Sequence, residues 1–332
     1  MNISQTWTKE NIHFCYEYSN RSCPKFVYSS TVWAPLYVLL GCIIILTVFG
    51  NLIVIITIAH FKQLHTPTNY IVLSLAIADF LLGSVIMPPS MVRSLESCWY
   101  LGDLFCKIHS RTDIMLSTAS ILNLSLISID RYYAVCQPLH YQTKITNGVV
   151  LTMVVISWTL SALHGYMMVF MNLNTMGTED IYNEHFNCEG ACFLLRSRMS
   201  ILTSSILVFF IPGFLIIVLY LKILIIARKQ ACSIQSRVCK NVTFEKNKTN
   251  LNKTEPKATR TLGIVVGVYL ICWSPFFLCN LIDLFLVFPS PLIPEFFVWL
   301  AYLNSGINPI IYAFSFSWFR KYFKTNTEKM LN

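Results

Sequence analysis

The sequence predicts an all-α membrane protein: a seven-transmembrane helix bundle, with a short amphipathic eighth helix expected after the last span. Three observations carry the seven spans. Of the 332 residues, 55% are hydrophobic and only 12% are charged, whereas soluble domains average roughly 25% charged. A single soluble core cannot hide that much apolar surface. Seven stretches then reach the ~20 mostly apolar residues that a span needs: about 34–60, 69–93, 103–136, 148–171, 198–228, 258–287 and 294–315. Finally, the basic residues gather between and after particular spans rather than spreading evenly.

The first stretch, from Ala34 to Ala59, is too long for a signal h-region and reads as the first span. An odd number of spans puts the termini on opposite sides. The segment after the fifth span carries Lys229, Arg237, Lys240, Lys246, Lys248, Lys253 and Lys257 against Glu245 and Glu255. The tail adds Arg320, Lys321, Lys324 and Lys329. Positive-inside logic places both in the cytoplasm and the N-terminus outside, in a multi-pass plasma membrane protein. The organisation is then an extracellular N-terminus (1–33), a bundle (34–315) with its third cytoplasmic loop at about 229–257, and a cytoplasmic helix and tail (316–332). The net charge of +9 is accounted for by anionic lipid, so no nucleic acid is expected as a partner.

This orientation exposes the N-x-S/T sequons Asn2 and Asn20 to glycosylation. The similar patterns at Asn241, Asn247 and Asn252 fall in the basic loop, and Asn123 falls inside a span. It also sorts the cysteines. Cys15, Cys23, Cys98, Cys106, Cys188 and Cys192 fall at the outer face, where disulfides form. Six cysteines allow 15 pairings, and spacing does not choose among them. In the basic loop, Thr254-Glu255-Pro256 sets a capping hydroxyl before an acid and a proline, a helix start.

Ionisable groups inside a bilayer are costly and mark function. Asp79 lies in "LSLAIADFLLG" with no charged neighbour on its own helix. It needs a cation, a proton or a polar cage, for which Ser120, Asn304, Ser305 and Asn308 are the candidates. Asp113 and Arg131 are separated by 18 residues, five turns of helix. They therefore share a face, with Arg131 roughly 27 Å deeper. Arg111 and Lys107 are not three or four residues from Asp113, so a local ion pair is disfavoured. In "ICWSPFFLCN", Pro275 kinks the sixth span and offers a pivot. Trp273, Phe276 and Phe277, with Trp299 and Tyr302, are expected to wall a cavity facing Asp113. A carboxylate with aromatic walls suits an ammonium group. Ser204 and Ser205 either offer hydroxyls to a ligand or bond their own helix carbonyls. His109 and His164 read as structural or interfacial. No metal cluster, phosphate loop or nucleophile motif stands on a plausible loop, so no enzyme is expected.

Taken together, Asn51 in "GNLIV", Asp79 in "LAIAD", Asp130-Arg131-Tyr132, Trp158, "CWSP" at 272–275 and "NPIIY" at 308–312 resemble the rhodopsin-like G-protein-coupled receptors over nearly the whole chain. Asp113 falls where the amine-binding members keep an aspartate. Within that group, "NSGINPIIYAFSFSWF" (304–319), "HFKQLHTPTN" (60–69) and "ESCWYLGDLFCKIH" (96–109) resemble the trace amine-associated receptors. The resemblance implies a small amine ligand and a stimulatory heterotrimeric G protein that raises cyclic AMP. It implies an activation switch at Asp130, Arg131, Tyr132, Glu255, Pro275, Pro309 and Tyr312. No cofactor is implied beyond an allosteric sodium ion at Asp79, Ser120, Asn304 and Asn308. It further implies the disulfides Cys106–Cys192, Cys15–Cys188 and Cys23–Cys98. One departure is "EPKATRTLG" at 255–263, where Pro256 replaces the family's basic residue beside Glu255.

A receptor for serotonin or dopamine is the nearest rival, and the 304–319 fingerprint argues against it. A light sensor needs a lysine in the seventh span, where this chain has Tyr302. An amine transporter would show inverted repeats and broken helices, which the sequence lacks.

Overall fold

The structure is a computed structural model. It describes residues 13–25, 30–170, 188–192, 197–240, 255–285 and 292–315, with backbone only at 30, 168–170, 231–240, 255–261 and 314–315. The expected eighth helix, Asn2 and most of the third cytoplasmic loop lie outside the described residues, as does the Glu255 side chain. Asn20 is exposed.

Among the described residues seven long helices form. The first is Ser30–His60. The second, Pro67–Glu96, starts on Thr66, whose hydroxyl caps the Asn69 amide, with Pro67 in the first turn. The third is Gly102–Cys136 and the fourth Asn147–Phe170, with a short helix at Pro138–Lys144 between them. The fifth begins at Arg198 and ends at Lys240, so the helix continues well into the basic segment read as loop. Its Lys, Arg and Gln residues are good helix formers. The sixth is Glu255–Ile282 and the seventh Leu292–Ser315. The sixth thus starts where the Thr-Glu-Pro signal put it but ends five residues before 287.

Prolines shape these helices in ways that can be traced bond by bond. In the second helix, Pro88 and Pro89 follow a π turn at Leu82–Ile86. Proline lacks an N–H and its ring crowds the preceding turn, so the wider turn relieves the contact. Pro212 follows a second π turn, Ser205–Phe210, in the same way. Near it, the Tyr269 hydroxyl of the sixth helix donates to the Phe209 carbonyl (3.4 Å). Pro309 frees the Ser305 carbonyl four residues earlier, and the fully buried Asn51 donates to it (3.1 Å).

The third helix packs on the second, fourth and fifth, while the first and sixth close on the seventh. Its approach to the fourth is close: a methyl at Gly165 would sit 2.7 Å from the Arg111 carbonyl oxygen. Trp158 of the fourth helix donates to Ser74 of the second (2.9 Å). The main apolar core runs from Val54 and Leu75 through Ile121 and Ile216 to Tyr269. Outward faces carry exposed Ile45, Phe49, Leu160 and Phe214, which suits lipid. Six of the helices are long and apolar enough to cross a membrane. The seventh is of similar length but keeps Asn304, Ser305 and Asn308 on its buried side.

At one end of the bundle, His13–Phe14 and Pro24–Lys25 form a two-stranded antiparallel ribbon. Cys106–Cys192 ties the third helix to the loop before the fifth. The other two bridges differ from those implied by the resemblance: Cys15 pairs with Cys98 and Cys23 with Cys188. Local backbone bonding accounts for the exchange. The Cys23 amide donates to Glu189 O (2.9 Å) and the Glu189 amide to Arg21 O (2.7 Å), which sets Cys23 beside Cys188. Gly190, at φ 98°, passes so near Cys15 that a Cβ there would lie 2.7 Å from the Cys15 Cβ. Its carbonyl accepts from the Trp99 amide next to Cys98 (2.8 Å). Lys25 adds an ion pair to Glu96 (2.9 Å), and this contact raises the Lys25 pKa above its ordinary value. The pairing predicts that Cys15→Ser/Cys98→Ser loses no more surface expression or ligand response than either single change, because the two share one bond. Cys15→Ser/Cys188→Ser should lose clearly more than either single change. The reverse ranking would restore the pairing implied by the resemblance.

Candidate ligand cavity and switch

A cavity of about 380 Å³ opens between the third, fifth, sixth and seventh helices, within the usual range of roughly 300–1,000 Å³ for small-molecule sites. Asp113 lies on its wall. The Tyr302 hydroxyl donates to Asp113 Oδ2 (2.8 Å) and Ser117 to Oδ1 (3.3 Å). Among the described residues no cationic side chain is ion-paired with Asp113. Asp283 and Glu295 also line the cavity, and Arg93 stands 3.9 Å from Glu295. Among the described residues three carboxylates and one guanidinium thus line the cavity, and that lining is anionic.

The aromatic wall consists of Trp273, Phe276, Phe277 and Tyr302. Trp273 is 3% exposed, and its edge meets Phe276 at a centroid distance of 6.1 Å. Two expected residues stand elsewhere. Trp299 is turned toward Leu40, Leu82 and Ile86, donates to Ser94 Oγ (3.1 Å), and meets the cavity only through the edge of Tyr302. Ser205 is buried and donates to the Ile201 carbonyl (2.8 Å), because the π turn that begins there points it away from the cavity. Ser204 does line it.

Sequence reasoning missed His164, Thr118, Ser110, Asn280, Asp283 and Glu295 on this wall. His164 had a usable signal, since an ionisable residue within a span is a functional candidate by default. It bridges Thr118 Oγ1 through Nδ1 and Ser204 Oγ through Nε2, both at 3.0 Å. His109 instead donates to the Ile86 carbonyl (3.0 Å) and lies tilted against Trp99, a structural position.

Deeper in the bundle Asp79 is 0% exposed. It accepts from Ser120 (2.8 Å), Ser305 (2.7 Å) and Asn308 (2.7 Å). Asn304 is not among these donors, and its buried Nδ2 has no partner among the described residues. Among the described residues no cationic side chain is ion-paired with Asp79. Among these residues its carboxylate is met by neutral donors, and the two serine oxygens keep lone pairs for a hard cation.

At the far end of the third helix, Asp130 is buried (side chain 1% exposed) and chelates Arg131 through Nε (2.9 Å) and Nη2. Thr68 of the second helix (3.0 Å) and Tyr141 of the short helix (2.8 Å) donate to the same carboxylate. Arg131 also donates to Thr68 (2.6 Å). Tyr132 packs at the edge of the core, with Lys222 Nζ 6.0 Å from its ring centre. Pro275 and Pro309 lie inside their helices and Tyr312 is buried. The side chain of Glu255, the remaining member of the expected switch, lies outside the described residues.

Residues 50–312 match the family described as 7 transmembrane receptor (rhodopsin family). The chain is 50% identical to trace amine-associated receptor 1 of Macaca mulatta, over 94% of this chain and 93% of that one. It is 48% identical to the human trace amine-associated receptor 1, over 94% and 92%, and 46% identical to trace amine-associated receptor 4 of Rattus norvegicus, over 97% and 93%. Family members are receptors rather than enzymes. With its seven-helix bundle, its carboxylate-lined aromatic cavity at one end and its chelated arginine at the other, this chain belongs to the rhodopsin family of seven-transmembrane receptors, in its trace amine-associated group.

Proposed function

We propose that this protein is a plasma-membrane receptor for small protonated amines, with its disulfide-tied end extracellular and its Arg131 end cytoplasmic. The observation that carries the reading is Asp113, a cavity carboxylate held by Tyr302 and Ser117 and without a cationic partner among the described residues. An ammonium completes that ion pair, and Trp273, Phe276 and Phe277 supply cation–π and apolar contact around it. Occupancy is sensed at Trp273, the sixth helix pivots at Pro275, and Arg131 leaves Asp130 to engage a heterotrimeric G protein of the stimulatory type. The amine shifts this equilibrium only by its differential affinity for the two states. The names of the relatives and the basic cytoplasmic segment support the amine class and the orientation. Amine-dependent cyclic AMP and labelled-amine uptake, measured in the same cells, test the reading. A cyclic AMP rise without uptake is expected. Uptake without cyclic AMP would make the protein a transporter.

Asp79 is the proposed sodium site, with Ser120 and Ser305 as the fitting oxygen donors beside it. Sodium binding that favours the resting bundle must oppose agonist binding reciprocally, by roughly fivefold or more for a typical coupling. Competition binding in sodium against a bulky organic cation should show this loss of agonist affinity, and Asp79→Asn should abolish it. Sodium sensitivity that persists in Asp79→Asn would exclude the site.

A further inference from the structure

The hydrogen-bond chain through His164 fixes which kind of group the cavity accepts opposite Asp113. Thr118 has one hydroxyl hydrogen, and its 2.7 Å contact with the Ile114 carbonyl consumes it, since a carbonyl can only accept. Toward His164 Nδ1, at 3.0 Å, Thr118 can therefore only accept. Nδ1 must carry the proton. In the neutral ring Nε2 is then the acceptor, and the contact with Ser204 Oγ at 3.0 Å is a donation from Ser204. The serine's single hydrogen is thereby spent, and only its lone pairs remain for the cavity it lines. Thr118 follows Asp113 by five residues, about 140° further round the third helix at 100° per residue. The carboxylate faces Tyr302 on the seventh helix, while this relay faces the fourth and fifth.

We infer that His164 and Thr118 are positioning residues that make Ser204 an obligate acceptor, so that the cavity selects amines carrying a hydrogen-bond donor at the end remote from the ammonium. The inference rests on the amine reading and adds to it the polarity of the second contact. A distal hydroxyl or amino group satisfies Ser204. An ether, carbonyl or halogen sets lone pair against lone pair.

Phenethylammonium ligands with para hydroxyl, amino or fluoro groups, which differ little in size, test this by competition binding. In the unaltered receptor both donors should bind roughly three- to tenfold more tightly than the fluoro ligand, the value of one net hydrogen bond. Thr118→Val deprives Nδ1–H of its acceptor and releases the ring to the other tautomer. Nε2–H then donates to Ser204, whose hydrogen turns to the cavity. The amino ligand, a poor acceptor, should lose its advantage while the hydroxyl ligand, which can also accept, keeps it. Thr118→Ser should restore the original ranking, which a purely steric role would not predict. ¹⁵N-histidine NMR of the purified receptor, with His164 identified by its loss in His164→Phe, needs neither ligand nor Thr118 variant and should show Nδ1 protonated and Nε2 accepting. An Nε2–H ring, or a ligand ranking indifferent to Thr118→Val, would overturn the inference. The unsubstituted ligand separates the two readings. If Asp113→Ala leaves its affinity unchanged, the amine reading fails. If that affinity falls while the para ranking ignores Thr118, only the relay fails.

Discussion

Asp113→Ala is expected to weaken amine potency in a cyclic AMP assay at least about thirtyfold, at surface expression equal to the parent's. Removing one partner of a buried ion pair costs about 2–5 kcal/mol, much of it from leaving the other charge unpaired. Here the stranded partner is the ligand ammonium, which would face Tyr302, Ser117 and three aromatic rings with no carboxylate among them. Asp113→Asn refines the test. Its side-chain oxygen can still accept from Tyr302 or Ser117, so the local structure survives while the charge is gone. Its loss of potency should approach that of alanine, because the charge and not the hydrogen-bond acceptor binds the amine. Unaltered potency in both variants would remove Asp113 from the ligand site.

Asp130→Asn is expected to raise basal cyclic AMP, without amine, by roughly tenfold per 1.4 kcal/mol of lost restraint. The Asp130 carboxylate is held by Thr68, Tyr141 and two Arg131 nitrogens while almost wholly excluded from solvent. Breaking a buried pair from one side is strongly destabilising, typically about 3–5 kcal/mol. Only the part that distinguishes the held from the released arginine shifts the equilibrium. Tyr141→Phe deletes one hydrogen bond to the same carboxylate and should give a smaller rise, with Arg131 still paired. The measurement is basal cyclic AMP normalised to surface receptor. Basal output no higher than the parent's in Asp130→Asn would mean that this chelate does not restrain signalling.

The seven helices and the polar groups inside them were legible because hydrocarbon leaves few alternatives. Backbone groups must be satisfied within each helix, and an acid such as Asp79 must find donors, which narrowed its partners to a handful. Ser120, Ser305 and Asn308 meet it, and Asn304 does not. What escaped depended on phase and on contacts distant in sequence. Ser204 and Ser205 are neighbours with opposite fates because a π turn begins between them, and residue spacing does not announce a π turn. Trp299 and Tyr302 lie three residues apart on the seventh helix, yet only the tyrosine turns to the cavity while the indole seeks Ser94 on the second helix. His164 was visible as an ionisable residue in an apolar span, but its meaning lies in Thr118 and Ser204 on two other helices. The cysteine partners were settled by backbone hydrogen bonds around Glu189 and Gly190, which the sequence does not display.

The three crosslinks also bear on the order of synthesis. In the orientation proposed above, with the N-terminus outside, Cys15, Cys23, Cys98 and Cys106 leave the ribosome before Cys188 and Cys192. Cys15–Cys98 spans 83 residues and can close early, whereas Cys23–Cys188 spans 165 and must wait. With the Cys15–Cys98 bond closed first, Cys23 and Cys106 are the external cysteines left to pair with Cys188 and Cys192. Early closure of Cys15–Cys98 withdraws Cys98 from competition. Chain order, acting before the bundle is complete, thus removes some of the wrong pairings that six thiols would otherwise allow.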